Sequence, residues 1–335
     1  MDNKTDIKVA DAAPEKTSGL LRSSSIVSAM TLLSRVLGLV RDVFVASYFG
    51  ARADAFFVAF KIPNFFRRLF AEGAFSVAFV PVLSEYKVKD QDVKALVSRV
   101  SGTLLAILGP FTIFAVAAAP ILTWVFAPGF ADQPEKFALT SELLRITFPY
   151  LLLISLTAFY GSVLNTYGQF AVPAVTPVLL NLCLILATYY FTPWFEEPLM
   201  ALAWGVLLAG VTQLAFQLPF VMRLGLLTLP TPGFSDSGVK RILKLMVPAL
   251  FGVSVSQINL LLDVLLASFL EDGSVSWLYY SDRLAQLPLG MFAIAIAVVV
   301  LPNLSQKHAA KEEGHFAQTL DWAVRMVLLI GVPSA

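Results

Sequence analysis

The chain reads SRVLGLVRDVFVASYF over residues 34–49, an apolar stretch of helix length that charged side chains interrupt. The apolar run at residues 54–82 is interrupted in the same way. The charged residues that interrupt these two runs are Arg35, Arg41, Asp42, Lys61, Arg67, Arg68 and Glu72. A charged side chain at the centre of a lipid-facing helix costs about 2.5–3.5 kcal/mol, so these groups must pair with one another or line a polar cavity. The pattern predicts a basic cavity inside an apolar bundle, which suits an anion or a lipid with an anionic headgroup.

Composition places the chain in a membrane. Its 335 residues are 57% hydrophobic and 14% charged, with a mean hydropathy of +0.76. A soluble domain is about 25% charged. The predicted fold class is therefore an all-α polytopic membrane protein.

Residues typical of catalytic and metal sites are scarce. The single cysteine, Cys183, excludes an intrachain disulfide, and the only histidines, His308 and His315, lie in a polar loop. No GxxxxGK[ST] phosphate loop, paired-cysteine zinc spacing or HExxH sequence occurs. We therefore expect no catalytic residues, no metal, no bound cofactor and no nucleic-acid partner, and ATP-driven pumping by this chain itself is disfavoured.

Apolar runs of about 20 residues mark nine predicted spans. They lie at residues 25–49, 54–82, 96–127, 138–166, 173–192, 198–222, 242–270, 274–304 and 317–335. The prolines inside spans are candidate kinks, namely Pro63, Pro110, Pro149, Pro248 and Pro288. The last run has no polar flank, so the chain is expected to end within its ninth span.

Lysine and arginine fall mostly on one side of these spans. Fourteen lie in the N-terminal tail and in the loops after spans 2, 6 and 8, against two, Arg52 and Lys136, on the other side. The positive-inside rule then places the N-terminus in the cytoplasm. Residues 1–22 are predicted to be a disordered polar tail, without the small-residue cleavage pattern of a signal peptide.

An internal repeat relates distant parts of the chain. DVFVASYF at 42–49 resembles DVLLASFL at 263–270, an offset of 221, and the same offset carries PVLS at 81–84 onto PNLS at 302–305. Six spans separate the copies, so both run the same way, which predicts two parallel lobes of six helices with the substrate handled between them. The predicted divisions are a tail at 1–22, an N-lobe of spans 1–6 at 23–225, a cytoplasmic linker at 226–241 and a partial C-lobe of spans 7–9 at 242–335.

Two interpretations are open for the charges of the first span. Arg35 or Arg41 could pair with Asp42 and hold helices together. Alternatively, the guanidinium groups could face the cavity and clasp a phosphate group bidentately. The sequence does not decide between them.

The second span places cations around a proline. Lys61 and Arg67 flank it, and Asn64 could satisfy the backbone group that the proline frees. We expect Arg67 to face the cavity. An ordinary structural ion pair is favoured for Arg68 and Glu72, which are four residues apart.

The seventh and eighth spans carry three further charges. Asp282 and Arg283 are on different helix faces, so one could hold the fold while the other faces the substrate. Asp263 could bind a cation or a proton, or could pair with an arginine of the first span. An interfacial aromatic belt is favoured over a sugar-stacking platform for Trp277, Tyr279 and Tyr280.

Several long motifs resemble one family of membrane proteins. They are SRVLGLVRD at 34–42, ADAFFVAFKIPN at 53–64, RRLFAEGAFS at 67–76, SWLYYSDRL at 276–284 and PLG at 288–290. These stretches resemble the lipid II flippase family (MurJ, formerly MviN), and the resemblance runs from about residue 24 to the chain end. The family belongs to a larger group of multidrug and polysaccharide exporters with two six-helix lobes.

The resemblance implies a function and a site. The substrate would be lipid II, the undecaprenyl-pyrophosphate-linked disaccharide-pentapeptide, moved from the inner to the outer leaflet of the bacterial inner membrane by alternating access. Membrane lipids and the cell-wall synthesis machinery would be partners. Sodium or proton coupling is implied, with Asp263 as an ion ligand. The substrate-binding residues that match the family are Arg35, Arg41, Asp54, Arg67 and Arg283, to which the reasoning above adds Lys61 and Asn64.

Other functions remain open at this point. The nearest alternatives are a related exporter of another lipid-linked sugar and a drug/cation antiporter, although an antiporter for cationic drugs should have a cavity dominated by acids. A membrane enzyme acting on a prenyl phosphate should carry a clustered aspartate motif, and none occurs. A scaffold for cell-wall enzymes has no characteristic sequence motif, so the sequence does not exclude this function.

Overall fold

The computed structural model describes residues 15–69 and 75–288, together with positions 321, 324, 325 and 329. Side chains are described from residue 25 onward, except at 255, 256, 287 and 288. Several predictions lie outside these residues: the tail up to residue 14, Glu72, the repeat copy at 302–305, both histidines, and most of spans 8 and 9. Every regular element within the described residues is helical, which confirms the all-α fold class.

The described α-helices follow one another with short connections. They are α1 (Glu15–Phe49), α2 (Asp54–Arg67), α3 (Phe75–Val88), α4 (Val93–Ala117), α5 (Ala119–Phe126), α6 (Pro134–Thr147), α7 (Tyr150–Thr166), α8 (Ala171–Leu186), α9 (Leu199–Arg223), α10 (Ser237–Ala267) and α11 (Ser274–Pro288). A π-helical turn, Ala187–Phe191, extends α8, and short 3₁₀ turns occupy Gly50–Ala53, Pro128–Asp132 and Thr192–Trp194.

Four helical units among the described residues are long and apolar enough to cross a membrane. They are Val93–Ala117, Pro134–Thr166, Ala171–Trp194 and Leu199–Arg223, and they correspond to predicted spans 3 to 6. Helix α10 adds a fifth unit if its two segments, which meet at an angle of 44°, form one span. Predicted spans 4 to 6 agree with these units to within about four residues at each end, whereas predicted span 3 (96–127) also covers the separate helix α5.

Two helix boundaries differ from the prediction. Helix α1 begins at Glu15, so residues 15–22 are helical rather than tail. Helix α10 begins at Ser237, inside the predicted linker 226–241. Its N-cap is Asp236, whose carboxylate accepts hydrogen bonds from the backbone N–H groups of Gly238 and Val239 at 2.9 and 3.1 Å.

The connections gather at two ends of the bundle. The Arg52 end comprises residues 50–53, 127–133, 195–198 and 268–273, joined by an ion pair between Arg52 and Glu197 at 3.2 Å. The Asp90 end comprises residues 89–92, 167–170 and 224–236, joined by a hydrogen bond from Ser98 to the Leu229 carbonyl at 2.6 Å. The predicted orientation puts the Asp90 end in the cytoplasm.

Proline shapes helix α2. Pro63 has no N–H group, so the carbonyl of Ala59 loses its helical donor. The hydroxyl group of Thr147 in α6 donates to that carbonyl at 3.0 Å, and the Asn64 side chain donates to the next carbonyl, that of Phe60, at 2.8 Å. Helix α2 is thereby tied to α6, and the role expected of Asn64, satisfying the freed carbonyl, is performed by Thr147.

The helices of the predicted C-lobe, α10 and α11, pack against those of the predicted N-lobe, α1–α9. Helix α10 lies on α3, and α11 lies on α2. Helix α11 begins one residue before the position that the repeat offset of 221 assigns to the start of α2. The lobes meet along α2 and α3, and this arrangement leaves a space between α1, α2 and α11.

Candidate functional site

A cavity of about 650 Å³ opens between helices α1, α2, α7, α8, α9 and α11. Its charged lining residues among those described are five arginines and one aspartate: Arg35, Arg41, Asp42, Arg67, Arg68 and Arg283. A smaller space of about 170 Å³ shares four of these arginines and lies between α2 and the C-lobe helices. The basic cavity that the sequence predicted is therefore present.

The only carboxylate that lines the large cavity within the described residues is already paired. Asp42 Oδ1 accepts from Arg41 Nη2 at 2.5 Å and Nε at 2.9 Å, and both side chains are buried. The remaining Arg41 donor, Nη1, binds Asn181 Oδ1 of α8 at 3.0 Å, while Nη2 also donates to the Tyr279 hydroxyl at 2.7 Å. All three Arg41 nitrogens are thus engaged, and its contacts support the structural-pair interpretation.

Arg283 approaches the same carboxylate from the other lobe. Its Nε lies 3.4 Å from Asp42 Oδ2 and 3.2 Å from the Tyr279 hydroxyl. The side chain is 45% exposed, its guanidinium lies 5.5 Å from the centre of the Tyr279 ring, and its described hydrogen bond and ion pair use Nε alone. The terminal Nη groups therefore remain available for an anion in the cavity. Asp42 links α1 to α11 through this pair.

Arg35 reaches the cavity from about two turns earlier in α1 than Asp42. Its Nη1 makes a long contact of 3.5 Å with the backbone carbonyl of Gln286 in α11. Its Nε is buried and has no hydrogen-bond partner within the described part of the chain. A buried guanidinium donor without a partner is suited to an anionic ligand.

Helix α2 supplies the remaining cations. Arg67 is half-buried and Arg68 is exposed, and both line the two spaces. Lys61 and Asn64 line only the smaller space, where the carboxylates of Asp282 and Asp263 attract Lys61 electrostatically. Four predicted site residues thus line the large cavity, namely Arg35, Arg41, Arg67 and Arg283. Two more, Lys61 and Asn64, line the smaller space.

Asp54 is the exception among the predicted substrate-binding residues. It lies at the Arg52 end, is 1% exposed, and lines neither space. Its carboxylate accepts from the N–H groups of Gly273 and Ser276 at the start of α11, each at 2.8 Å, and from Lys136 Nζ at 3.0 Å. The Asp54 side chain therefore caps a helix of the other lobe in this structure, and a contact between Asp54 and the cargo stays a prediction.

Lys136 extends this contact to a loop carboxylate. Its ammonium group also binds Asp272 at 2.8 Å, in the connection between α10 and α11. Hydrogen bonds from Lys136 and Gln133 lower the pKa of Asp272, which lies outside the spans. The two lobes are therefore held together at the Arg52 end by charged groups.

Comparison with known proteins identifies the family. The family model described as "Lipid II flippase MurJ" matches residues 45–335. A protein of Vibrio cholerae named "Probable lipid II flippase MurJ" is 54% identical over 326 residues, which cover 94% of this chain and 62% of the relative. The chain belongs to the lipid II flippase MurJ family.

Other members and solved structures agree. The "Lipid II flippase MurJ" of Burkholderia cenocepacia is 42% identical over 324 residues, 94% of this chain and 63% of that protein. A solved MurJ structure in an inward closed conformation superposes with a TM-score of 0.73 at 30% identity, covering 92% of this chain and 63% of that one. An inward-facing multidrug transporter of the MATE family has a TM-score of 0.67 at 15% identity, which shows a common fold. The chain spans about 62% of the length of the MurJ relatives that it matches.

Sequence reasoning missed two residues that contact the charged cluster of the cavity. Asn181 binds both Arg41 and, at 2.8 Å, the backbone carbonyl of Ser34. Tyr279 lies inside the charged cluster, with its ring stacked on Phe57 at 4.0 Å between centroids, so the interfacial-belt interpretation is wrong for it. A lone asparagine in the apolar run of α8 was the available signal, because polar groups inside spans are usually functional.

The contacts of Asp263, the suggested ion ligand, do not identify an ion site. Asp263 is exposed on α10, and its described electrostatic partner is Lys61 of α2 rather than an arginine of α1. No cluster of three or more acidic, histidine or cysteine side chains suited to a metal ion occurs within residues 15–69 and 75–288. Ion coupling at Asp263 therefore stays a prediction.

Proposed function

We propose that the full-length protein moves lipid II from the inner to the outer leaflet of the bacterial inner membrane. The observation that carries this proposal is the inter-lobe cavity, where five arginines face a single, already paired aspartate. A pyrophosphate group needs several cations, and arginine binds phosphate oxygens through two parallel hydrogen bonds. Membership of the MurJ family supports this cargo over other anions.

The geometry also suits a lipid-linked cargo. Only the polar headgroup has to cross the hydrocarbon layer, since a prenyl chain can remain in the lipid. A cavity between two lobes can admit such a headgroup from the side. The protein would then act as a transporter without chemical change to the cargo.

Transport would proceed by alternating access of the two lobes. The lobes are joined at the Arg52 end through Asp54, Lys136 and Asp272, and at the Asp90 end through an ion pair of Glu85 with Arg241 at 2.6 Å. When the cavity opens to one side, the contacts at that end would break while those at the other end hold the lobes together. A cytoplasmic Asp90 end, sodium or proton coupling and association with cell-wall synthesis enzymes belong to the same proposal.

A toxin-accessibility assay tests the proposal in cells. The full-length protein is rapidly inactivated, and lipid II is then probed with an externally added toxin that cleaves its headgroup. Accumulation of toxin-resistant lipid II, with the same result for Arg67→Ala, would support a flippase and its cavity. Unchanged access together with continuing cell-wall synthesis would reject lipid II as the cargo and favour another lipid-linked sugar.

A further inference from the structure

The part of the cavity lining that comes from α7, α8 and α9 is polar but carries no charge among its described residues. We call it the acceptor wall, and it is formed by buried side chains of α7, α8 and α9. Each of its members exposes less than a tenth of its surface, and they are Thr157, Ser162, Thr176 and Gln217.

The hydroxyl groups of this wall have no proton left for a ligand. Those of Thr157, Ser162 and Thr176 donate to backbone carbonyls three or four residues earlier in their own helices, at 2.9, 3.0 and 2.8 Å. A hydroxyl group has one proton and two lone pairs, so each can offer only an acceptor to the cavity. The arginine side, in contrast, offers donors, because its one described carboxylate, that of Asp42, is already paired with arginines.

Gln217 is the member whose bonding is incomplete. Its side chain is 1% exposed, and its Oε1 is buried with no hydrogen-bond partner within the described residues. A buried acceptor without a donor destabilises a protein, so a donor that arrives with a ligand would explain its presence.

Gln213, one turn earlier on α9, provides the contrast. It is equally buried, but its Nε2 donates to the Thr176 carbonyl at 2.7 Å and its Oε1 accepts from the Tyr150 hydroxyl at 3.4 Å. The protein therefore satisfies one of these two neighbouring buried amides, and within the described residues it leaves the oxygen of the other without a donor.

We infer that the acceptor wall binds a neutral hydrogen-bond donor of the cargo, a sugar hydroxyl or a peptide N–H group, and that Gln217 determines specificity for it. A cationic group is disfavoured because the wall has no carboxylate among its described residues. The inference rests on the proposed function and divides the headgroup between two surfaces. The arginines take the pyrophosphate, and the acceptor wall takes the uncharged part.

Binding to the purified full-length protein tests this division. The probes are lipid II and undecaprenyl pyrophosphate, which lacks sugars and peptide. Gln217→Met should weaken lipid II binding about 10-fold, equivalent to about 1.4 kcal/mol, because one buried hydrogen bond to the cargo is lost. Binding of undecaprenyl pyrophosphate and the melting temperature should not fall.

Gln213→Met is the matched control. It removes a satisfied amide of the same size from the same helix, so the melting temperature should fall and both ligands should be affected alike. If Gln217→Met behaves in that way, or weakens neither ligand selectively, the inference is overturned. If the unmodified protein binds neither ligand, the proposed function itself fails, which is a distinguishable result.

A third probe separates the two sources of the donor. Undecaprenyl-pyrophosphate-disaccharide without the pentapeptide retains the sugar hydroxyls and loses the peptide N–H groups. A selective loss of affinity for this probe in Gln217→Met would assign the donor to the sugar. An unchanged affinity for it, together with weakened lipid II binding, would assign the donor to the peptide.

Discussion

Asp54, the first residue of α2, accepts hydrogen bonds from both the backbone N–H group and the hydroxyl group of Ser276, at 2.8 and 2.5 Å. Ser276 lies in the first turn of α11, where backbone N–H groups have no helical partner. A carboxylate of one lobe therefore caps a helix of the other and interacts favourably with its dipole. This contact closes the Arg52 end.

Removal of the Asp54 charge should loosen that end. In Asp54→Asn, the Lys136 ammonium loses its buried partner, and an amide group would face the Gly273 N–H with a donor. We expect the free energy of unfolding to fall by about 1–3 kcal/mol, which would be measured as a lower melting temperature of the purified protein. Asp272→Asn is the control, since this partner of Lys136 is 63% exposed and such pairs contribute about 0–1 kcal/mol. Equal effects of the two changes would contradict the capping role.

The two arginines that contact Asp42 should respond differently to truncation. Arg41→Ala would leave the buried Asp42 and Asn181 without their main partner, and removal of one member of a buried ion pair costs about 3–5 kcal/mol. Arg283→Ala should preserve folding, because Arg41 still pairs with Asp42, but should abolish transport. Protein levels and melting temperature separate the cases. Normal transport by Arg283→Ala at normal protein levels would remove Arg283 from the site.

Arg67 tests whether the shape of the cation matters as well as its charge. Arg67→Ala should abolish transport while membrane insertion remains intact, since the side chain lines the cavity. Arg67→Lys should rescue transport only partly, because an ammonium group cannot bind two phosphate oxygens through a planar fork. The toxin-accessibility assay measures both variants. Full rescue by lysine would show that charge alone suffices.

The Asp90 end should weaken in acid. Hydrogen bonds from Lys89 and Arg241 hold the pKa of Glu85, beyond the predicted end of span 2, below its ordinary value of 4.5. The ionised carboxylate therefore stabilises the fold above that value, and this contribution is lost as the pH falls through the lowered pKa. The difference in melting temperature between the protein and Glu85→Gln should shrink between about pH 5 and about pH 3. A difference that is constant over this range would reject the ion pair between α3 and α10.

The fold was largely predictable because lipid imposes a simple rule on sequence. Runs of about 20 apolar residues have to be helices. Spans 3 to 6 were therefore located from hydropathy alone. The start of α10 was placed too late because its first turn is polar and depends on Asp236 as a cap.

The candidate site was predictable in part. Arg35, Arg67 and Arg283 were recognised because charge is costly in a membrane helix, and the fold brings all three to one cavity. Asn181 and Gln217 carry no charge, so only their positions beside the cavity reveal them. Asp54 matched the family pattern as well as the arginines did, but it lies at the opposite end of α2 from Arg67.

The sequence by itself determined that this protein is a helical membrane bundle of the MurJ family. It also determined that cations lie inside the spans, where each must be paired or face a cavity because an unpaired charge in lipid is too costly. Only the tertiary structure decided which charges are paired and which are available. Arg41 and Arg283 have the same chemistry, but one is enclosed by Asp42, Asn181 and Tyr279, whereas the other is 45% exposed in the cavity. The difference depends on helices 140 or more residues apart in sequence, whose approach no local pattern encodes.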